Sequence, residues 1–410
     1  MISFVHTADV HFGMENYGKI DPKTGIHSRL LDFENALNYC IDYAIEHNVD
    51  LFVFSGDAYK TAAPSPTQQK LLMRCLMRLY KAGIPIVIIV GNHDNPLSFG
   101  KANSLDVFSS LPVDGFYVIS KPTSFVINTR NGPVQIVGIP WPSRNNLSLN
   151  NHIFSSASHI TEYISLSVAR IIEEFAKKLN PEIPAILASH ITVSSGVFSG
   201  SEKRAIYGND PVLLPSQLAI EPFDYIALGH LHRFQNLNQN GKIPLVYAGS
   251  IERIDFGERK EKKGFCHVKI KSKNETVYEF VEVPTRPFIQ IDTYLQVGSD
   301  PTEQLINIIR SSNIKDSVVK IVYHVPSEMT DSVNLRVLQQ ECMDAIHIAG
   351  IIPIKNLEGR QRRAGAKVDM DLSSLLNTYF DSKPELKSKK DSLIQKTLEL
   401  QHCCAHEEEK

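Results

Sequence analysis

Apolar and polar residues alternate in two distinct ways along the first half of the chain. Short runs such as ISFV at 2–5, LFVF at 51–54 and IPIVIIV at 84–90 are apolar at nearly every position. Between them, residues 29–47 and 66–83 place apolar side chains three or four positions apart, which predicts amphipathic helices. Strands that are apolar on both faces and alternate with helices are typical of sheets covered on both sides. The pattern therefore predicts an α/β fold.

Further strands follow before a change near Pro284. Short strands are predicted within 116–140, then a helix at 160–178, and then three strands that end in polar residues, at 183–190, 223–232 and 243–250. GFCHVKI (264–270) and VYEFVEV (277–283) predict an antiparallel pair. We place the first domain boundary after this pair, so that residues 1–283 form one domain.

The last third of the chain predicts a small module and a tail. Residues 288–356 read as strand, helix, strand, helix (334–350) and strand, which predicts a small α/β domain over 284–357. The basic segment that follows has no core pattern and predicts a connector. Beyond it, apolar positions at 372–380 and 386–400 predict two helices. Residues 358–410 are therefore expected to form a linker and a helical tail.

Composition narrows the class of protein. The 410 residues include 43 Lys and Arg against 45 Asp and Glu, a net charge of −2, which argues against nucleic-acid binding by bulk charge alone. No apolar run reaches the ~18 residues of a membrane helix, so no membrane association is expected. The start has no signal-peptide pattern, and six cysteines show no disulfide or zinc spacing. We expect a cytoplasmic protein.

Residues of metal-binding types follow five of the predicted strands. Because the carboxyl ends of parallel strands share one edge of a sheet, these residues should converge on one crevice. Imidazole, carboxylate and amide oxygen together suit Mn²⁺, Fe²⁺ or Zn²⁺ better than Mg²⁺ or Ca²⁺. Seven candidate ligands exceed one tetrahedral site and suit two metals that share a carboxylate, an arrangement typical of phosphoryl chemistry. The ligand candidates are Asp9, His11, Asp57, Asn92, His190, His230 and His232.

Each motif has an ordinary interpretation when it is taken alone. An Asp-x-His after a strand can cap a loop, Gly-Asp is common in turns, and a single histidine such as His190 can be a buried structural residue. Gly-Asn-His-Asp at 91–94 and Gly-His-Leu-His at 229–232 are more specific, because each places several ligand types on one turn. The joint order, always after a strand, supports the metal-site interpretation.

These motifs in this order resemble those of the calcineurin-like metallophosphoesterases, over residues 5–250. The resemblance implies a two-sheet α/β sandwich with a dimetal centre at the strand ends. It also implies that His93 is the acid that protonates the leaving oxygen and that Asp94 orients its imidazole. One metal would be held by Asp9, His11 and His232, the other by Asn92, His190 and His230, with Asp57 bridging the two.

Three segments between residues 248 and 288 resemble those of a subgroup, the SbcD-type DNA repair exonuclease subunits. They are residues 248–258, 263–265 and 283–288. The resemblance implies a metal-dependent DNA exonuclease and endonuclease, with two Mn²⁺ ions, acting on duplex ends, hairpins or single strands. It further implies a capping domain, a helical tail that docks on an SbcC-like coiled-coil ATPase, and a homodimer within a heterotetramer.

The chain departs from some nuclease relatives after Asp57. Those relatives carry a histidine shortly after Gly-Asp that is thought to contact the scissile phosphate, whereas this chain has Ala58-Tyr59-Lys60. The role is either empty or taken by Tyr59 or Lys60. The balance between exonuclease and endonuclease action therefore stays open.

Several weaker candidates carry two interpretations each. Residues 141–144 (Trp-Pro-Ser-Arg) could line a substrate groove or anchor a loop, and Arg253 could contact phosphate or form an ion pair. The basic connector residues Arg360, Arg362 and Arg363 could touch DNA or be solvated, and the tail helices could bind a partner or fold back.

Two other functions compete with the nuclease interpretation. One is a phosphoesterase for a small phosphodiester or a phosphoprotein, and the other is a non-catalytic scaffold that binds DNA ends.

Overall fold

The computed structural model confirms a mixed α/β architecture with two six-stranded sheets. It describes residues 1–96, 101–111, 113–143, 147, 157–200, 210–355, 372–381, 386 and 389–407. Within these residues no helix combines the length and the apolar character that crossing a bilayer requires. The connector with Arg360, Arg362 and Arg363 lies outside the described residues, as does Arg144.

Apart from three strands of two residues each, the strands agree closely with the apolar runs of the sequence. In chain order they are β1 (Ile2–Thr7), β2 (Leu51–Phe54), β3 (Ile86–Ile89), β4 (Phe116–Ile119), β5 (Thr123–Thr129), β6 (Gly132–Ile139), β7 (Ala185–His190), β8 (Thr192–Val193), β9 (Val212–Leu213), β10 (Tyr225–Gly229), β11 (Gln235–Asn236), β12 (Leu245–Tyr247), β13 (Gly264–Ser272), β14 (Glu275–Glu282), β15 (Phe288–Tyr294), β16 (Val318–Val325) and β17 (His347–Lys355).

Helix α2 shows how local capping groups set the helix ends. The Ser65 hydroxyl accepts from the Gln68 backbone N–H and the Gln68 side chain accepts from the Ser65 N–H, a capping box, and Gly83 follows the last turn with a φ of +68°. The helices are α1 (Ser28–Glu46), α2 (Pro66–Lys81), α3 (Asp106–Ser109), α4 (Ala157–Ala176), α5 (Pro215–Leu218), α6 (Pro301–Ser311), α7 (Leu335–Glu341), α8 (Leu372–Asp381) and α9 (Lys390–Glu407).

The two large sheets carry their inner strands in parallel. The first sheet has the order β14-β13-β1-β2-β3-β4, with parallel pairing from β1 to β4 and antiparallel pairing of β13 with β1 and β14. The second has the order β11-β12-β10-β7-β6-β5, with β12, β10, β7 and β6 parallel. The carboxyl ends of β1, β2 and β3 therefore share one edge, and those of β7 and β10 share another.

Alternate residues of each inner strand enter different hydrophobic cores. In β2, Leu51 and Val53 pack between the two sheets, whereas Phe52 and Phe54 pack against α1 and α2. In β10, successive residues divide in the same way between the core that lies between the sheets and the core that α4 helps to form. Both faces of these strands are covered, which explains why the sequence shows no polar alternation there.

Among the described residues of the C-terminal third, one helix differs from its prediction. The sequence predicts a helix over 334–350, but α7 ends at Glu341, and β17 begins at His347. The backbone N–H of Ile346 donates to the Ser317 carbonyl (2.9 Å), so the chain has already left the helix there. The residues that follow pair into a sheet of order β15-β16-β17, where their isoleucines fit a strand better than a helix.

The chain divides into two compact units. The first comprises residues 1–291, 308–320 and 336–350, and the second comprises 292–307, 321–335 and 351–410. Helices α8 and α9 belong to the second unit. The domain boundaries at 283/284 and 357/358 stay predictions.

Candidate metal centre

Two parallel loops build the floor of the site. The chain after β1 runs beside the chain after β2, with Asp9 N donating to Gly56 O and His11 N donating to Asp57 O, both at 3.0 Å. These hydrogen bonds extend the β1–β2 pairing past the strand ends. They fix the side chains of Asp9, His11 and Asp57 at the same edge of the sheet.

The backbone is strained where the candidate ligands lie. Asp9, His11, Asp57 and His230 have φ values of 53°, 51°, 55° and 102°, a left-handed region that residues other than glycine rarely adopt. Such conformations persist where the surrounding structure enforces them, and they cluster at functional sites. More than half of the predicted ligands thus lie on strained backbone.

Glycines allow close packing at this edge, between the two sheets at Gly56 and between neighbouring loops of the first sheet at Gly91. Gly56 has a φ of +95°, and a Cβ there would lie 2.4 Å from His190 Nδ1. A Cβ on Gly91 would lie 2.1 Å from Asp57 Oδ1. The Gly-Asp and Gly-Asn-His-Asp motifs therefore need glycine for close packing, and not only for the turn.

One group of predicted ligands comprises Asp9, His11 and His232. The Nε2 atoms of His11 and His232 lie 3.2 Å apart, and Asp9 Oδ1 lies 4.0 Å from His11 Nε2. All three side chains are buried. If one ion were bound at about 2.0–2.2 Å from each side chain, the distances between the ligand atoms would be similar to those observed here.

The second group comprises Asn92, His190 and His230. Asn92 Oδ1 lies 2.9 Å from His190 Nε2 and 3.2 Å from His230 Nδ1. Asp57 lies between the groups, since its Oδ2 is 3.3 Å from His190 Nε2 and 3.6 Å from His11 Nε2. The structure brings all seven predicted ligands into one crevice.

The buried charges of the crevice depend on one another. Burial raises the pKa of Asp9 to about 7, although the neighbouring imidazoles oppose the rise. Burial alone would lower the pKa of His190, but Asp57, Asp9 and the Ser55 carbonyl together outweigh it and raise that pKa to about 9. The Asp57 pKa is in turn held well below its usual range, because His190 and its hydrogen bond outweigh the effect of burial. Asp57 thus needs a positive partner, which a divalent ion would supply.

Two histidines are oriented from behind by acceptors. His190 Nδ1 lies 2.7 Å from the Ser55 carbonyl oxygen, and His232 Nδ1 lies 2.9 Å from Glu258 Oε1. Each contact favours a proton on Nδ1, so that the lone pair of Nε2 can bind a metal. Glu258 is fully buried, and its pKa is about 2, because Lys263 and the His232 hydrogen bond outweigh the effect of burial.

The environment of His93 differs from the expectation in one respect. His93 is exposed, its Nδ1 lies 2.8 Å from the Lys60 carbonyl oxygen, and its ring lies 5.0 Å from that of His11. Asp94, expected to orient this imidazole, instead accepts three backbone N–H groups at 3.0–3.2 Å, those of Ala58, Tyr59 and Gly91. The Lys60 carbonyl orients the ring, and Asp94 holds the two loops together.

Tyr59 and Lys60, the two candidates for contacting the scissile phosphate, have opposite surroundings. Tyr59 is fully buried, so its side chain is not available to a substrate in solution. Lys60 is exposed, and its backbone carbonyl is the partner of His93. Of the two, Lys60 is therefore the one that a phosphate could reach.

Trp141 and Arg253 are distinguished by what they contact. The ring of Trp141 lies 4.8 Å from that of His230, at the edge of the site, where it could line a groove. The Arg253 guanidinium donates to the carbonyl oxygens of Glu261 (3.0 Å) and Arg286 (3.3 Å). Arg253 is therefore a structural residue.

One known protein family matches more than half of the chain. The sequence profile of the calcineurin-like phosphoesterases matches residues 2–234. The chain belongs to that family. Similar solved structures include a dimetal phosphatase from Danio rerio (11% identity, 68% of this chain and 98% of that one, TM-score 0.40). Another is the protein TT1561 of Thermus thermophilus (13% identity, 68% and 98%, TM-score 0.36).

The residues of this calcineurin-like phosphoesterase fit a dimetal centre. Three overlapping groups bring their ligand atoms within 4.8 Å of one another: Asp9, His11 and His232; His11, Asp57 and His93; and Asp9, Asp57 and His190. Imidazole nitrogens that face each other or a carboxylate, with acceptors behind them, have the chemistry of metal ligands. Family and geometry together support a metal-dependent phosphoester hydrolase; which metal it uses stays a prediction.

The sequence does not identify the residues behind the ligands. Glu258 and Lys263 stand in the strongly charged stretch ERIDFGERKEKKG (252–264), which gives no sign of burial, yet both side chains are almost completely buried. Asp210, whose Oδ2 lies 3.5 Å from His230 Nε2, follows no predicted strand and belongs to no motif. The resemblance of 248–258 and 263–265 to a subgroup is a signal for the first two residues, and Asp210 has none.

Proposed function

We propose that this phosphoesterase is a Mn²⁺-dependent DNA nuclease, the SbcD-like subunit of a complex that processes DNA ends in double-strand-break repair. The observation that carries the hydrolase part is the group of seven Asp, Asn and His side chains, all but Asn92 buried, beside the exposed imidazole of His93. The DNA part rests on the resemblance of residues 248–258, 263–265 and 283–288 to SbcD-type subunits. The helical tail, as in that group, would dock on an SbcC-like ATPase.

The chain's own groups divide the work of phosphodiester hydrolysis. When bound, two divalent ions supply Lewis acidity and stabilise the charge that develops on the phosphoryl oxygens. His93 is exposed at the crevice, so its imidazole can reach a leaving oxygen. With Nδ1–H donated to the Lys60 carbonyl, the protonated ring presents Nε2–H, which would protonate that oxygen.

Local charge makes the crevice suitable for phosphate despite the net charge of −2. Two divalent ions add four positive charges, and Asp9 and Asp57 together contribute two negative ones, which leaves about +2 when the histidines are neutral. Affinity for extended DNA would then come largely from a second copy of the chain and from the ATPase partner. In this proposal the ions would contact the phosphate, and the assembly would make the wider contact with DNA.

A nuclease assay on the chain, alone and with an SbcC-like ATPase, tests the proposal. End-blocked and free DNA duplexes are incubated with Mn²⁺ or Mg²⁺, with Asp57→Asn as the matched inactive control. We expect Mn²⁺-dependent cleavage of free ends that the control lacks. Cleavage of a small phosphodiester or a phosphoprotein, with none of DNA even in the complex, would favour the competing phosphoesterase function. No Mn²⁺-dependent hydrolysis at all would favour a scaffold.

A further inference from the structure

A buried ion pair stands directly behind one predicted metal ligand. Glu258 Oε1 accepts from His232 Nδ1 at 2.9 Å, and Glu258 Oε2 lies 2.8 Å from Lys263 Nζ. The exposed fractions of Glu258 and Lys263 are 0% and 1%, so neither charge is solvated. Burying two charges is costly unless their hydrogen bonds are satisfied, and such a pair is weak evidence for stability. A role in positioning accounts for it better.

The hydrogen bonds of this pair connect His232 to the segment at residues 250–254. Lys263 Nζ donates to the His232 carbonyl oxygen (3.0 Å) and to Ser250 Oγ (2.9 Å). The Ile254 N–H donates to Glu258 Oε2 (2.9 Å). The pair therefore holds His232 at two points, its ring through Glu258 and its backbone through Lys263.

The 3₁₀ turn that carries Glu258 is itself fixed in place. The Asp255 carboxylate accepts the Gly257 N–H at 2.6 Å and caps the turn at residues 256–258. Gly249, with a φ of +78°, brings the preceding loop against the backbone at 232–234, where a Cβ would lie 2.7 Å from the His232 carbonyl oxygen. Because Glu258 on this turn and the close packing at Gly249 both reach His232, the effect of the turn should be greatest at that ligand.

We propose that Glu258 and Lys263 are positioning residues that fix the tautomer and orientation of His232 and so build the metal position formed with Asp9 and His11. The proposal rests on the metal-dependent hydrolase but not on a DNA substrate. It can therefore fail or hold whether or not the chain cleaves DNA. Partners of this kind typically change metal affinity by about 10–100-fold.

The test measures Mn²⁺ binding to the full chain by calorimetry and by electron paramagnetic resonance. In Glu258→Gln, we expect one of two Mn²⁺ ions to bind about 10–100-fold more weakly and the spectrum of coupled ions to weaken. Glu261→Gln is the matched control, because Glu261 Oε2 also pairs with Lys263 (3.1 Å). Glu261 is linked to the His232 ring indirectly, through Lys263 and Glu258. That control should bind both ions as the wild type does.

A second variant covers the risk that Glu258→Gln destabilises the fold. Glu258→Gln combined with Lys263→Met removes both charges, so that no unpaired charge stays buried. We expect this double variant, with native circular dichroism, to show the same loss at one ion. Wild-type affinity for both ions in either folded variant, or an equal loss in Glu261→Gln, would overturn the proposal.

Discussion

The two histidines of the Gly-His-Leu-His motif are held in very different ways. His232 is tied by a 2.9 Å hydrogen bond to Glu258, whose charge is matched by the buried Lys263. His230, two residues earlier, has its Nε2 3.5 Å from Asp210 Oδ2, and the Asp210 side chain is 15% exposed. One motif thus supplies two ligands of the same type, His232 with a rigid support and His230 with a weaker one.

Replacing the shared carboxylate should abolish both metal positions, whatever support each histidine has. Asp57 Oδ2 lies within 3.6 Å of a histidine from each group, so Asp57→Asn removes the negative charge common to both. We expect both Mn²⁺ ions to be lost together, along with all metal-dependent hydrolysis. Metal content of the purified variant, measured by mass spectrometry, checks this. Retention of one tightly bound ion would contradict a bridging role.

Removing the exposed imidazole should separate chemistry from metal binding. His93→Ala takes away the predicted acid and leaves the seven ligands in place, so hydrolysis should slow by about 10²–10⁴-fold. Mn²⁺ affinity and stoichiometry should stay at the wild-type values. A parallel loss of bound metal would instead identify His93 as a ligand, a role that its distance from His11 and Asp57 permits.

Removing Asp210 should have less effect than removing Glu258. A partly exposed carboxylate at 3.5 Å contributes under about 1 kcal/mol, so Asp210→Asn should weaken Mn²⁺ binding by less than about fivefold. Calorimetric titrations of Asp210→Asn and Glu258→Gln with Mn²⁺ measure the difference in affinity directly. Equal losses in the two variants would show that the supports of His230 and His232 matter alike.

Replacing a buried histidine outside the crevice should have the smallest effect on Mn²⁺ binding, so this change serves as a reference. His6 lies in β1 with its Nδ1 3.1 Å from the Tyr225 hydroxyl, and burial lowers its pKa to about 3. Because the unfolded chain takes up this proton near pH 6.5 and the folded chain does not, folding stability falls as pH falls below about 6.5.

The variant His6→Gln isolates this contribution. Between about pH 6.5 and pH 4, the free energy of unfolding of the wild type should fall relative to the variant by about 1.4 kcal/mol per pH unit. Urea titrations in the absence of metal measure it. Mn²⁺ affinity at about pH 7.5, where His6 is neutral in both states, should be unchanged. A change there would mean that packing between the sheets, and not local support, sets the metal positions.

The sequence predicts most of the fold, and it picks out the candidate ligands that the structure brings together, because both depend on local pattern. Apolar runs such as 84–90 are typical of buried strands, and polar residues directly after them lie at a strand end. The exceptions are positions where partners come from elsewhere in the chain. The helix predicted over 334–350 ends early, because the backbone of Ile346 bonds to Ser317 in a distant segment.

The supports of the site cannot be predicted from the sequence for the same reason. Nothing local indicates that Glu258 is buried against His232, or that Asp94 bonds the backbone of Tyr59 and not the ring of its neighbour His93. Hydrogen bonds between distant segments decide these roles. Motif order therefore identifies candidate ligands more reliably than it identifies what holds them.

Anomalous diffraction from crystals soaked in Mn²⁺ tests the central claim most directly. We predict two peaks at the manganese absorption edge, separated by about 3.5–4 Å, with the Asp57 carboxylate between them. One should lie among Asp9, His11 and His232, and the other among Asn92, His190 and His230. A single peak, or peaks away from these side chains, would contradict a dimetal centre built on this crevice.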